Sequence, residues 1–196
     1  MKTLILVVIF SVLPVFFLFV FTMSSFNLLN SSQRRVRRTL EMLAAALRRR
    51  QAAAARLAEA AGALPDAPGA EVEAVRRARE AAVAAIEKTE RHHGDDGALD
   101  QAFEAETKLV TATEELVRAL PPASAEGAAE PRREWDEANQ RVACTRLDHF
   151  QAVASYNRHR QRGWSRLIAG VFLFPPARPL LGEPSSSTSV RPAAAS

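Results

Sequence analysis

Hydrophobic and polar positions divide the chain into an N-terminal apolar run and a long polar remainder. From Leu4 to Met23 the sequence reads LILVVIFSVLPVFFLFVFTM, with no charged side chain. At a helical rise of about 1.5 Å per residue, such a run matches the roughly 30 Å hydrocarbon core of a bilayer. The pattern predicts a transmembrane helix over residues 4–23, after a short flank at residues 1–3.

A cleaved secretory signal peptide is the competing interpretation of this run. Signal peptides have an apolar region of about 7–15 residues, followed by a cleavage site with small residues. The run here is longer, and Met23-Ser24-Ser25-Phe26 offers no A-x-A-like pair. Both features favour an uncleaved anchor, and transmembrane helices tolerate a proline such as Pro14.

Positive charges flank the run unequally. Lys2 precedes it, whereas four arginines follow within about 15 residues of its end, namely Arg34, Arg35, Arg37 and Arg38. The positive-inside rule then predicts a cytoplasmic C-terminal part, with the periplasmic or extracellular side as the alternative. Cys144 is the single cysteine, so no disulfide can form within the chain and the thiol gives no compartment signal.

Beyond residue 30, apolar positions recur every three or four residues, which is the spacing of helices and coiled-coil seams. Alanine is abundant, and β-branched runs are nearly absent outside the apolar run, which disfavours sheets. Four helices are predicted, over about 36–64, 70–90, 98–120 and 131–162, separated by Pro- and Gly-containing segments. The predicted fold class is therefore all-α, with an N-terminal transmembrane helix followed by an antiparallel four-helix bundle of long helices within residues 24–166.

The predicted inner faces contain one charged interruption. Arg50 occupies a position in the seam of the first helix that is otherwise apolar. Phe103 is placed on the inner face of the third helix and Leu147 on that of the fourth. Cys144 is predicted to be a small, buried core residue.

Residues 33–56 carry eight arginines against the single Glu41. A basic helix next to a membrane span indicates contact with anionic lipid, at about 1 kcal/mol per arginine near the surface. The candidate lipid-contact residues are Arg34, Arg35, Arg37 and Arg38. A solvated helix face and nucleic-acid binding are the other interpretations, but no nucleic-acid motif accompanies the charge, so we expect no nucleic-acid partner.

After Trp164 the chain becomes apolar again and then polar. Residues 167–181 form an apolar segment broken by Pro175, Pro176 and Pro179, which either docks on the bundle or touches the bilayer. Its shortness and its prolines favour docking on the bundle. Residues 182–196 lack the apolar surface that folding requires, and a disordered tail is predicted.

Candidate chemistry is sparse. Residues 91–96 (RHHGDD) contain ligand types that metals accept, but neighbouring side chains in a turn rarely converge on one ion. Glu90 and His93 supply one Glu-x-x-His spacing, whereas a di-iron bundle needs two. The sequence has no phosphate-binding loop, dinucleotide fingerprint or nucleophile elbow. We expect no catalysis, no metal and no cofactor.

Several short motifs follow one another along the chain. Phe26-Asn27 comes just after the apolar run, Leu47–Arg50 reads LRRR, and Val72–Arg79 reads VEAVRRAR. Ala152–Asn157 reads AVASYN, and Leu167–Phe174 reads LIAGVFLF before Arg178-Pro179. In this order, over roughly Leu4–Pro179, the motifs resemble the LemA family of bacterial membrane proteins. A tryptophan that the family has near Thr39-Leu40 is absent, and Ala-rich sequence at Ala53–Leu57 replaces its I-P-N-L segment.

The resemblance implies a four-helix bundle on a single transmembrane helix in the bacterial inner membrane. It favours a scaffold or interaction module without catalysis, with the membrane and an unidentified protein as partners. The alternative is an accessory or sensor subunit that binds a metal or small ligand in or beside the bundle. The motif residues either anchor the tail structurally or form an interface: Phe26, Asn27, Tyr156, Asn157, Trp164, Leu167, Ile168, Ala169, Gly170, Phe172 and Phe174.

Overall fold

The computed structural model describes residues 2–91, 96–121 and 127–178. Over these residues the chain forms five helices and no strand, which confirms the predicted all-α class. The helices are α1 (Lys2–Gly62), α2 (Gly69–Arg91), α3 (Asp96–Ala119), α4 (Ala129–Gln161) and α5 (Gly163–Val171).

Helix α1 is longer than predicted. The sequence predicts separate helices over 4–23 and 36–64, whereas the structure has one helix from Lys2 to Gly62. Residues 24–35 contain neither proline nor glycine, so nothing interrupts the hydrogen bonds between successive turns. The helix ends where Gly62, Pro65 and Pro68 prevent its continuation.

Within the described part of the chain, no helix combines the length and the apolar character that crossing a membrane requires. Much of the predicted span at residues 4–23 lies outside this description, because the side chains of residues 2–15 and of Leu18 are not described. The predicted disordered tail at residues 182–196 also lies outside the described residues.

The described chain divides into two compact units. Unit 1 comprises residues 2–39 together with Gln151–Arg178, and unit 2 comprises Leu40–Phe150. Helices α1 and α4 each contribute residues to both units, while α2 and α3 belong to unit 2 and α5 to unit 1.

Side chains from four helices form the main core of unit 2. This core has members from α1 (Ala54, Leu57, Ala61), α2 (Val72, Val75, Ala82), α3 (Leu109, Leu116) and α4 (Trp135, Ala138). A smaller cluster joins Leu43 and Leu47 of α1 to Ile86 of α2 and Val142 of α4. The apolar seam predicted for the first helix is thus confirmed from Leu43 to Ala61, whereas its predicted ends at Val36, Leu40 and Leu64 are half-buried.

The core of unit 1 brings α5 against α1 and α4. Leu29 of α1, Tyr156 of α4 and Ile168 and Ala169 of α5 are buried together. The sequence predicts no separate helix here, only an apolar segment from residue 167. The break between α4 and α5 falls at Gly163, whose φ of 38° is a left-handed conformation that glycine adopts readily.

Three residues assigned to the interior are exposed. Phe103, Leu147 and Cys144 all face solvent, so their predicted placement is wrong. The buried face of α3 passes through the neighbouring Ala102, and that of α4 passes through Val142 and His149. Since each residue turns the helix by about 100°, a side chain one or two positions away points elsewhere.

His149 of α4 is buried, and burial lowers its pKa from the ordinary 6.5. In the unfolded chain the imidazole regains its ordinary pKa and binds a proton first as the pH falls. The free energy of unfolding should therefore decrease as the pH falls through 6.5 and stop decreasing from this cause below the folded-state pKa.

The variant His149→Leu should lose this part of the pH dependence. Urea unfolding of both proteins in detergent, followed by circular dichroism between about pH 8 and about pH 5, measures the difference in slope. Equal slopes for the two proteins would contradict the assignment to His149.

Candidate functional site

A buried polar cluster lies in unit 2 where α1, α3 and α4 meet. Arg50 is 8% exposed and Glu106 is 2% exposed, and the two form an ion pair in which Arg50 Nη2 donates to Glu106 Oε2. Gln51 Nε2 donates to the other carboxylate oxygen, Oε1, at 2.5 Å. Two consecutive residues of α1 therefore hold one carboxylate of α3.

The cluster occupies seam positions that are otherwise apolar or small. The buried positions of α1 include 43, 47, 50, 54, 57 and 61, and those of α3 include 102, 106, 109, 113 and 116. Both series alternate steps of three and four, as in a coiled-coil seam. In the sequence, Arg50 is recognisable as an interruption of the seam, but Glu106 was not singled out. The signal that predicts the pair is a positive charge in the seam of one helix and a negative charge in the seam of another.

The pair is only partly compensated by further hydrogen bonds. Arg50 Nε is buried and has no hydrogen-bond partner, and Arg50 Nη1 reaches Asn139 Oδ1 of α4 only at 3.5 Å. Removing two charges from water is costly, and their attraction offsets the cost only with good geometry and satisfied donors. The cluster is thus a specific contact whose integrity depends on both partners.

A cavity of about 230 Å³ opens beside this cluster. Its polar lining includes Arg50, Glu106, Asn139 and Arg146, and its apolar lining comes from Phe103, Val110, Val142 and Ala143. Burial, followed by the charge of Arg50, lowers the pKa of Arg146. Two arginines against one glutamate give the lining a net positive charge, which suits a small anion with an apolar part.

Those motif residues of the LemA resemblance that are candidates for an anchor of the tail or an interface belong to unit 1, whereas the motifs Leu47–Arg50 and Val72–Arg79 belong to unit 2. Tyr156, Ile168 and Ala169 are buried, and the ring of Phe26 contacts the rings of Phe172 and Phe174 at centroid distances of 5.3 and 5.8 Å. Asn157 and Phe174 are half-buried, whereas Asn27, Leu167, Gly170 and Phe172 are exposed. The side chain of Trp164 lies outside the described residues.

The segment after α5 lies along the end of α4. Tyr156 Oη donates to the carbonyl of Pro175 at 2.8 Å, and Arg160 Nε donates to that of Phe174 at 2.9 Å. Asn157 Nδ2 donates to the Ala177 carbonyl at 2.8 Å, and the Ala177 N–H donates back to Asn157 Oδ1 at 3.1 Å. Residues 174–177 thus dock on α4 within unit 1, whereas residues 179–181 lie outside the described chain. That the whole segment 167–181 docks on a bundle stays a prediction.

Burial raises the pKa of Tyr156, against a smaller opposing effect from the charge of Arg160. The phenol therefore stays neutral at physiological pH and remains a hydrogen-bond donor to Pro175.

The four candidate lipid-contact arginines are all exposed on α1: Arg34, Arg35, Arg37 and Arg38. At about 1.5 Å per residue, they lie roughly 17–22 Å beyond Met23 along the helix. If the span ends at Met23, these distances begin at the edge of the hydrocarbon core, and the head-group layer beyond that edge is only about 5–7 Å thick. The arginines therefore lie farther from the membrane surface than a Debye length of about 8 Å. The attraction of each arginine to anionic lipid is then weaker than that of an arginine at the surface.

Among the described side chains, no group of three His, Cys, Asp or Glu residues could hold a metal ion. The segment His92–Asp95, which carries the candidate metal ligands of the sequence, lies outside the described residues.

No protein-family model, no curated protein and no solved structure matches this chain. The LemA resemblance is therefore carried by the order of its motifs alone.

Replacing one member of the buried pair should be far more damaging than replacing both. Arg50→Met leaves the Glu106 carboxylate buried without its cation, and we expect a loss of about 3–5 kcal/mol of unfolding free energy. The double variant Arg50→Met/Glu106→Leu should recover most of that loss. Urea unfolding measures both values.

Arg49→Met is the matched control, because Arg49 is an exposed neighbour on the same helix. It should change stability little. A double variant as unstable as Arg50→Met, or a harmless Arg50→Met, would show that the pair does not couple α1 to α3.

Proposed function

We propose that this protein is a single-pass membrane protein of LemA type, in which an anchor over residues 4–23 holds an antiparallel four-helix bundle at the bacterial inner membrane. The bundle acts as a scaffold or interaction module without catalysis. The observation that carries the proposal is helix α1, because one continuous helix from Lys2 to Gly62 contains both the apolar run and the seam of the unit 2 core.

Exposed apolar side chains in the second half of the predicted span support the anchor. Phe16, Phe17, Phe19 and Phe21 are between 55% and 62% exposed, and Val20 and Met23 are exposed beside them. At 100° per residue these six positions cover an arc of about 200°, more than half of the circumference of the helix. A helix that exposes apolar side chains over so wide an arc suits a lipid environment better than water.

The core of unit 2 supports the bundle. Four helices contribute to it, and Arg50–Asn139 together with Arg56–Glu134 pairs later residues of α1 with earlier residues of α4. That order of contacts is antiparallel. A bundle held at a membrane meets lipids or membrane-bound partners at a raised effective concentration, which is the advantage that a scaffold would use.

The full chain should stay in the membrane fraction after washing with alkaline carbonate, because an apolar helix of this length stays in the bilayer while peripheral proteins are released. Mass spectrometry of the retained protein should show the N-terminal residues still present. A soluble, processed form that begins near Ser24 would contradict the anchor.

The single cysteine allows the topology to be tested in the natural sequence. Cys144 is exposed and lies after the predicted anchor. If the positive-inside rule holds, a membrane-impermeant maleimide should label Cys144 only after the inner membrane is opened. Cys144→Ser is the control for other reactive groups. Labelling of cells in which only the outer envelope is permeabilised would place the helices on the opposite side.

A further inference from the structure

Contacts within unit 1 place α5 beside the end of the proposed anchor. Ser32 Oγ of α1 lies 3.2 Å from Nδ1 of His159, near the end of α4. Further along the chain, the ring of Phe172 lies 5.3 Å from the ring of Phe26. From His159 to Phe172, the contacts on α1 thus move toward its N-terminus. Phe26 follows Met23 by three residues, or about 4.5 Å of helix.

Helix α5 has one face in the core and one face that is exposed and apolar. Ser165, Ile168 and Ala169 are buried. On the other side, Leu167 is 59% exposed and Val171 is 76% exposed, and Leu173 in the following turn is 85% exposed. Three large apolar side chains are therefore left outside the core of unit 1, on the helix and turn that contact α1 just after the proposed anchor.

The backbone of the turn is unfavourable for the residue it carries. Leu173 has a φ of 51°, a left-handed conformation that residues with a Cβ rarely adopt. Leu173 directly follows the C-cap Phe172, where helices commonly end in this conformation, and the Phe174 N–H donates to the Ala169 carbonyl at 3.0 Å to close the turn. The end of the helix therefore accounts for the conformation, and the Leu173 side chain is left almost fully exposed.

The charge of this region is entirely positive. Between Tyr156 and Arg178 the sequence contains no aspartate or glutamate. Its arginines are Arg158, Arg160, Arg162, Arg166 and Arg178. Arg162 and Arg166 are both exposed and flank the first turn of α5. Exposed apolar residues next to arginines are the composition of helices that lie in the membrane interface.

We propose that α5 and the turn after it form a second lipid-binding element, which lies in the head-group region of the leaflet from which α1 emerges. Leu167, Val171 and Leu173 enter the acyl boundary. Arg162 and Arg166 bind the phosphates of anionic phospholipids. This inference rests on the proposed anchor. It assigns the main lipid contact to α5 and the turn after it, because Phe172 lies beside Phe26, which is closer to the end of the span than Arg34–Arg38 are.

The test uses the full chain in vesicles of phosphatidylcholine with and without phosphatidylglycerol. In a Cys144→Ser background, Leu167→Cys carries an environment-sensitive NBD fluorophore. Leu147→Cys is the matched control, since Leu147 is also an exposed leucine but lies about 21 Å along α4 from its end at Gln161. Lipids with a nitroxide at the head group or upper acyl chain serve as quenchers.

The label at position 167 should emit at shorter wavelength and be quenched by the nitroxide lipids, more strongly in anionic vesicles, while the label at 147 should behave as in water. Val171→Cys gives an independent labelling site should the first variant fold poorly. A water-like, unquenched label at both 167 and 171, in protein that stays with the vesicles after a carbonate wash, overturns this inference and leaves the anchor standing. Release of the protein by carbonate overturns both.

The role of the arginines is tested in the same labelled protein. Arg162→Gln/Arg166→Gln should lower the quenching at position 167 in anionic vesicles and abolish most of its sensitivity to salt. Arg34→Gln/Arg35→Gln is the matched control, with two exposed arginines removed from α1. An equal or larger loss in the control would overturn the assignment of the lipid contact to Arg162 and Arg166.

Discussion

The continuity of helix α1 is the constraint on which the rest of this protein depends. From Val15 to Ala61 the sequence contains neither proline nor glycine, so backbone hydrogen bonding runs without a break from the apolar run into the unit 2 core. The same helix supplies Leu29 to the unit 1 core and Leu43–Ala61 to the cores of unit 2. Every other helix packs against a surface that α1 helps to form, and the proposed anchor is simply its first part.

In an alanine-rich core such as this one, helices can approach each other closely. The small side chains differ little in shape, however, so they do little to favour one axial alignment of two helices over another. The buried pair of Arg50 and Glu106 supplies a distinction that alanine cannot. If α3 slipped by one heptad, each charge would meet a seam position without an opposite charge, and an unpaired buried charge is strongly destabilising. We therefore expect the pair to contribute more to the alignment of α1 with α3 than to the net free energy of folding.

Much of the fold could be predicted from the sequence, because the helices and their ends are determined by local sequence patterns. Alanine content, the apolar seam of α1 and the prolines at 65 and 68 predict helices and their ends. The exposure of single side chains could be predicted less well. Phe103, Leu147 and Cys144 each lie one or two residues from a buried position, and a short periodic pattern does not distinguish such neighbours. The polar cluster and the packing of α5 depend on contacts between segments that are distant in the sequence. The periodicity of a single helix gives no information on such contacts, so neither feature could be predicted.

The docked segment after α5 illustrates preorganisation. All four hydrogen bonds that Tyr156, Asn157 and Arg160 make to it involve main-chain atoms, of which three are carbonyls and one is the N–H of Ala177. Pro175 and Pro176 lack an N–H, but the hydrogen bonds that hold the segment use the N–H of Ala177 and three carbonyls, so none of these four bonds needs an N–H at 175 or 176. By restricting the backbone beforehand, the two prolines reduce the conformational entropy that the segment loses when it docks.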